Sequence, residues 1–285
     1  MNNVYLHSNE KTNSLVKLLI FMLIPFAIFG FYKNGIYLYQ KELISTFEMF
    51  KPVLFIVISF FVSLIYSAIK KEKFISYVLL YNLIISLIAM PNTSIIVYLI
   101  TLVVCNVIMM FIKYPIIPSY MLITVIISIV FKNLTFLNAF ESAVEHKYSL
   151  IDYLLGYGYG GLSNTFLIFS IISLIILCTK FSFKKHIPLT AFTVFYSLLM
   201  ITSFIKGNID VNLFLNNNFI FGVIFIAPLT LYSPYTKGGC FLYGIMLGLL
   251  SYISTFLDLN IGVYISLLLL ELTYKIFDGK IHKSR

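Results

Sequence analysis

The stretch Gly156-Tyr157-Gly158-Tyr159-Gly160-Gly161-Leu162-Ser163-Asn164-Thr165 has the residue types to hold a flat, phosphate-bearing ligand. Glycines let a backbone approach a ligand closely. Ser163 or Asn164 can cap the apolar helix that follows, and a helix N-terminus offers free N–H groups to an anion. Tyr157 and Tyr159 can stack on an aromatic ring. The same residues also suit a capped turn at a membrane interface. Glu271 and Lys275 lie four apart inside the last apolar run, where a shared helical face lets each partly neutralise the other; a functional carboxylate at Glu271 is the alternative reading. Asn82 and Asn106, also inside apolar runs, can line a ligand path or hydrogen-bond between helices, and the second use is the commoner one.

Other chemistry is missing from the pattern. No Ser/His/Asp arrangement and no carboxylate pair with hydrolytic spacing is visible, so no catalytic residue is assigned. His7, His146, His186 and His282 fall in loops or tails, which disfavours a haem held between helices. Cys105, Cys178 and Cys240 are far apart, without the close pairing that zinc or a dithiol needs, so they read as apolar filler and no metal site is expected.

The elements that must position these residues are membrane helices. In 285 residues, 60% are hydrophobic and 11% charged, with mean hydropathy +0.97. Soluble domains have about 45–50% apolar and 25% charged residues. Apolar runs occupy 14–32, 52–69, 75–91, 94–112, 115–131, 162–179, 187–205, 218–232, 240–257 and 261–278. At roughly 20 residues per span the expected fold is all-α, with about ten transmembrane helices. Residues 1–13 are polar and no small-residue cleavage site follows the first run, so that run is expected to stay as a span. Lys17 lies near its end and can snorkel to the interface.

Net charge is +9, but the cations sit in short connections, which argues against nucleic acid and for topology signals. Alternating the runs puts Lys11, Lys70, Lys71, Lys73, Lys113, Lys180, Lys184, Lys185, Lys237, Lys280, Lys283 and Arg285 on one side, with Lys17 and Lys275. Lys33, Lys41, Lys51, Lys132, Lys147 and Lys206 fall on the other. The positive-inside rule makes the first side cytoplasmic and both termini with it. The expected organisation is a five-helix half over 1–131, an outward loop over 132–161 and a second five-helix half over 162–285. An odd number of spans per half inverts the second half, the arithmetic of an inverted repeat. The third span of each half carries a proline motif, Ala89-Met90-Pro91-Asn92-Thr93 and Ala227-Pro228-Leu229-Thr230. Broken helices at matching positions free backbone groups to face a cavity.

The last third is similar to a known family. Phe221 to Asp278 resembles the C-terminal region of the RnfD/NqrB family, membrane proteins of the Rnf electron transport complex and of the sodium-pumping NADH:quinone oxidoreductase. Ser233-Pro234-Tyr235-Thr236-Lys237-Gly238-Gly239, followed by Gly244, looks like its Ser-Pro-x-Thr-Pro-x-Gly segment and downstream glycine. Gly262-Val263 resembles its Pro-Glu-Gly-Val stretch. Tyr114-Pro115-Ile116-Ile117-Pro118-Ser119 is similar to Asn-Pro-Phe-Asn-Pro-Ala, and Gly160-Gly161-Leu162-Ser163-Asn164-Thr165 to Gly-Ser-x-Gly-Glu-Thr. The matches fall in the family's order over nearly the whole chain.

The resemblance implies ten helices in two inverted five-helix halves, a fold shared with urea transporters. It also implies an FMN on the outer side, bound covalently through a threonine in Asp-x-x-Ser-Gly-Ala-Thr. Here the stretch reads Asn138-Ala139-Phe140-Glu141-Ser142-Ala143-Val144, so the flavin-bearing threonine falls on Val144, which has no hydroxyl to esterify. Ser142 is the nearest hydroxyl, without the leading aspartate or the glycine. The family's Thr-Asp-Pro and Gly-Glu-Thr acids are also lost, at Pro228-Leu229-Thr230 and at Asn164.

The expected function is therefore a multi-pass subunit of a bacterial electron transport complex in the cytoplasmic membrane. Covalent FMN is not expected. A noncovalent flavin (FMN or riboflavin) is the candidate ligand of Tyr157, Tyr159, Gly160, Gly161, Ser163, Asn164 and Thr165, and other membrane subunits are the candidate partners. The rival readings are a channel or transporter for a small solute or for flavin, and a purely structural scaffold subunit.

Overall fold

In hydrocarbon a backbone must satisfy its own hydrogen bonds, so long apolar runs fold as helices. The computed structural model of the chain follows that rule: every apolar run holds a helix, and no strand occurs among the described residues. The structure describes residues 9–71, 77–91, 93–111, 115–131, 150–157, 160–180, 182–207, 211–229, 232–256 and 261–278; the side chains of 9–13, 125, 127–131, 211 and 212 are excepted. Among the described residues four helical stretches are long and apolar enough to cross a membrane: Ser14–Gln40, Lys51–Lys70, His186–Lys206 and Lys237–Thr255. The protein is an all-α membrane protein. Its contacts divide it into two units, one over Asn13–Phe169 and one that takes up the chain from Ser170.

In the first unit, α1 (Asn9–Phe31) passes into a π-helical segment, Tyr32–Tyr37, and then Leu38–Gln40. A Ser45–Glu48 capping box opens a short helical turn, Thr46–Met49. Gly35 lets the Met49 carbonyl pack against it, since a Cβ there would lie 2.5 Å from that oxygen. Next come α2 (Lys51–Lys70), α3 (Tyr77–Ile88), α4 (Ile95–Phe111) and α5 (Ile116–Phe131).

α2 is inside-out by soluble standards. It buries Ser59, Ser63 and Ser67 and exposes Phe60, Phe61, Leu64 and Ile65. That is the membrane pattern, in which small and hydroxylated residues make the helix interfaces and large apolar ones face lipid. α3 is buried nearly all round and packs on α2 and α5. It ends at Ile88, before Pro91.

In the second unit, where α6 (Leu167–Cys178) runs on from Ser170, α7 (His186–Lys206) packs on α9 (Lys237–Thr255) through Gly244 and Gly248. A Cβ on Gly244 would collide with the Thr190 hydroxyl and lie 2.7 Å from the Ile187 carbonyl; one on Gly248 would lie 2.8 Å from the Ala191 carbonyl. Glycines four apart create this close approach. α8 (Asn217–Phe221) is capped by Asn216 and continues as a second π-helical segment, Gly222–Ile226, which ends before Pro228. All of Asn217–Ile226 is buried. α10 (Gly262–Thr273) packs on α9, with Ser254 and Ser266 hydroxyls 2.9 Å apart.

The expected Glu271–Lys275 pair does not form. The α-helix stops at Thr273 and Tyr274–Asp278 tightens into a 3₁₀ turn, so the i,i+4 register is lost. Glu271 is buried and lies close enough to Tyr243 to act on it electrostatically. Lys275 is exposed, its ammonium 6.0 Å from the centre of its neighbour's ring, Tyr274.

Candidate functional site

The candidate segment Gly160–Thr165 is not the first turn of a helix. α6 begins only at Leu167, and Gly161–Thr165 is buried within the first unit against α1 and the end of α3. Because α3 stops short before Pro91, its last carbonyls have no helical partner. The segment supplies them: Leu162 N donates to Ala89 O at 2.8 Å and Ser163 N to Leu87 O at 2.9 Å. Gly161 is needed for that approach, since a Cβ there would lie 2.5 Å from the Ile88 carbonyl. Asn164 turns back on the segment and accepts from Gly161 N at 2.7 Å. Gly30 on α1 leaves room for the Ser163 side chain.

The π-helical turn brings the cation. A π-turn inserts one extra residue and re-aims the side chains around it. Lys33, Asn34 and Gly35 are buried there, Lys33 completely. The Lys33 ammonium donates to Thr165 Oγ1 at 3.2 Å, and Asn34 Nδ2 donates to Leu162 O at 2.6 Å. Asn34 Oδ1 is buried with no hydrogen-bond partner.

Aromatic rings border this polar group. Phe29 stacks on Phe166 at 4.7 Å, and Tyr157 lies 6.2 Å from Phe29 and 6.0 Å from Tyr37. Gly156 turns the chain with φ +95°, a left-handed conformation, and a Cβ there would meet the Thr165 carbonyl at 2.7 Å. Tyr157 is partly buried, and burial first, then Tyr32, Tyr37 and Asp152, hold its phenol above its usual pKa. The structure thus brings together Tyr157, Gly160, Gly161, Ser163, Asn164 and Thr165. Tyr159 and Val144 lie outside the described residues, as does Ser142.

Sequence reasoning misses Asn34 and reads Lys33 as a charge in a connection. The available signal is a Lys-Asn-Gly triplet continuing the first apolar run without a break in helical potential.

Asn82 and Asn106 join α3 to α4 instead of lining a path. Each amide donates to the other, at 3.2 and 3.0 Å. Asn82 Nδ2 also reaches Ser63 Oγ at 2.9 Å, and Ser59 Oγ donates to the Asn82 carbonyl at 2.8 Å. The stacked rings of Phe55 and Tyr98, 4.0 Å apart, adjoin this clamp. Among the described residues no group of three or more His, Cys, Asp or Glu side chains could hold a metal ion.

The sequence profile of the NQR2, RnfD, RnfE family matches residues 1–285, the whole chain. No curated protein matches it.

Proposed function

From the premise that this chain belongs to the NQR2, RnfD, RnfE family, we propose that it is an integral membrane subunit of an ion-translocating electron transport complex in the bacterial cytoplasmic membrane. It holds flavin noncovalently and none covalently. Its spans form two inverted five-helix repeats, with both termini cytoplasmic. What supports the repeat is the pair of short, buried helices, α3 and α8 with its π-helical extension, that stop before Pro91 and Pro228. The lysine-rich connections support the orientation.

The observation that carries the flavin reading is the buried pair Lys33 and Asn34 on the Gly160–Thr165 segment. An ammonium and an unpartnered amide oxygen inside an apolar unit are expensive, and intramembrane polar groups of this kind mark functional sites. Their chemistry supports a flavin: its pyrimidine ring carries one N–H for an acceptor such as Asn34 Oδ1 and carbonyls for a cationic donor such as Lys33. Tyr157, Tyr37 and Phe29 supply the stacking surface. Bound flavin supplies one-electron carriage between partner subunits; the chain's residues bind it, exclude water and set the charge beside it. A phosphoester to residue 144 is excluded by its chemistry, since valine has no hydroxyl.

The test is the absorption spectrum of the purified full chain, before and after denaturation. The expected result is a flavin band that leaves the protein completely on unfolding and is lost in Lys33→Met. A colourless protein from flavin-replete cells would overturn the cofactor reading and leave the scaffold role. A fluorescent gel band removed by Ser142→Ala would overturn the noncovalent one.

A further inference from the structure

Within the second unit a separate cleft of about 270 Å³ opens where α6 ends and α7 and α9 begin. Lys180, Lys184, Lys185, Lys237, His186 and Tyr235 line it, and among the described residues no acidic one does. Topology alone explains why lysines occur on this side of the chain, but it does not explain how they are held.

Lys184 is built in. Its ammonium donates to Ser233 O at 3.0 Å and to Ser233 Oγ at 2.7 Å, and lies 4.7 Å from the centre of the Tyr235 ring. An ammonium has three N–H donors, so one remains for a ligand. The nearest carboxylate, Asp278, is already engaged. It accepts from Tyr235 N, Thr236 N and Thr236 Oγ1, each at 3.0 Å, and so fixes the turn that carries the cleft wall.

The cleft is also electrostatically unfinished. Lys185 and His186 stand at the N-terminus of α7 and Lys237 at that of α9. Cations at helix N-termini oppose the helix dipole, which favours anions there. Two positive helix ends and four ammonium groups around one cavity repel one another until an anion sits between them. The volume sets the size of that anion. Pockets for drug-sized ligands span roughly 300–1,000 Å³; at about 270 Å³ this one matches a headgroup. One turn along each helix, Leu189 on α7 and Phe241 and Leu242 on α9 are exposed apolar side chains on which an acyl chain can lie.

We propose that the cleft lined by Lys180, Lys184, Lys185 and Lys237 binds a phosphate-bearing anion, the headgroup of an anionic membrane lipid or free phosphate. The site is independent of the flavin reading.

Native mass spectrometry of the detergent-solubilised full chain tests it, with phosphatidylglycerol, diacylglycerol of the same acyl chains and inorganic phosphate as the probes. Phosphatidylglycerol is expected to be retained over diacylglycerol, and its affinity to fall about fivefold for each lysine removed in Lys185→Gln and Lys237→Gln. Both side chains are exposed, so these variants fold. Lys70→Gln/Lys71→Gln, which removes the same charge from exposed positions elsewhere, is expected to leave retention unchanged. If inorganic phosphate displaces the lipid with the same lysine dependence, the headgroup phosphate alone is recognised. If it does not, the site reads the lipid. Equal loss in the Lys70/Lys71 pair, or equal retention of diacylglycerol, would overturn the proposal.

Discussion

The Asn82–Asn106 clamp and the Lys184 cleft are both polar groups in an apolar chain, and they end in opposite conditions. In the clamp each amide donates to the other and the nearby serines take what is left, so the donors on three helices are spent within the protein. In the cleft, cations crowd two helix N-termini and the one neighbouring carboxylate is spent on backbone N–H groups. A closed network holds helices together and offers nothing to a ligand. An open one strains its scaffold and gains from a ligand of opposite charge.

The largest expected effect comes from breaking the scaffold under the cleft. Gly244→Leu drives a side chain into Thr190 and the Ile187 carbonyl, which no rotamer can avoid. A cost of about 3 kcal/mol or more is expected, read as loss of folded protein in a thermal or detergent unfolding series. Next in size is the clamp. Asn82→Leu leaves Asn106 Oδ1 without its donor in hydrocarbon, although Nδ2 keeps the Leu102 carbonyl, at a cost of about 2 kcal/mol. The double variant Asn82→Leu/Asn106→Leu removes both halves and should recover most of that loss, because two apolar groups need no partner. If the double variant is as unstable as the sum of the singles, the two amides do not act as a pair. Neither clamp variant should change phosphatidylglycerol retention.

The same contrast explains what the sequence makes legible. Helix positions follow from run length, and in the structure the serines at 59, 63 and 67 recur every helical turn on the buried face of α2. The clamp is within reach because an asparagine inside an apolar helix has few alternatives to another helix's polar group. Two of the misses share one cause, departure from α-helical period. The π-turn at Tyr32–Tyr37 turns Lys33 inward although it reads as a charge in a connection. The 3₁₀ turn that ends the last helix, over Tyr274–Asp278, separates Glu271 from Lys275. The candidate loop stands out by its glycines, yet Gly161 admits a helix-end carbonyl rather than open space for a ligand. A glycine reports close approach; it does not say of what. Read as topology signals, the lysines of the cleft say nothing of their company.

Two smaller effects separate stability from binding at the cleft itself. Asp278→Asn keeps one acceptor oxygen for Tyr235 and Thr236 but removes the one carboxylate that acts on Lys184 among the described residues. Stability should fall by about 1 kcal/mol, since hydrogen bonds to a charged acceptor weaken to neutral ones. Phosphate retention should rise in the same variant, because the cleft becomes more positive. A fall in both would mean that the carboxylate only shapes the wall.

The smallest effect is the pH response of Lys184. Burial lowers its pKa to about 8, with Cys240 and Asp278 opposing the shift. Below that value the ammonium is charged in both the folded and the unfolded chain. Between about 8 and the ordinary value of 10.5 the unfolded chain binds a proton that the folded chain does not, so stability rises with pH across that window. Phosphate affinity moves the other way. As pH passes through 8 the cleft loses one of its four ammonium charges, and retention should weaken by up to about fivefold. The groups facing Lys184, namely Tyr235, Cys240, Asp278, His186 and the three other lysines, remain in Lys184→Met. The step centred on 8 should therefore vanish in that variant while the rest of the profile stays. A step that survives the substitution would assign the titration to one of those neighbours and leave Lys184 as a structural tie to Ser233.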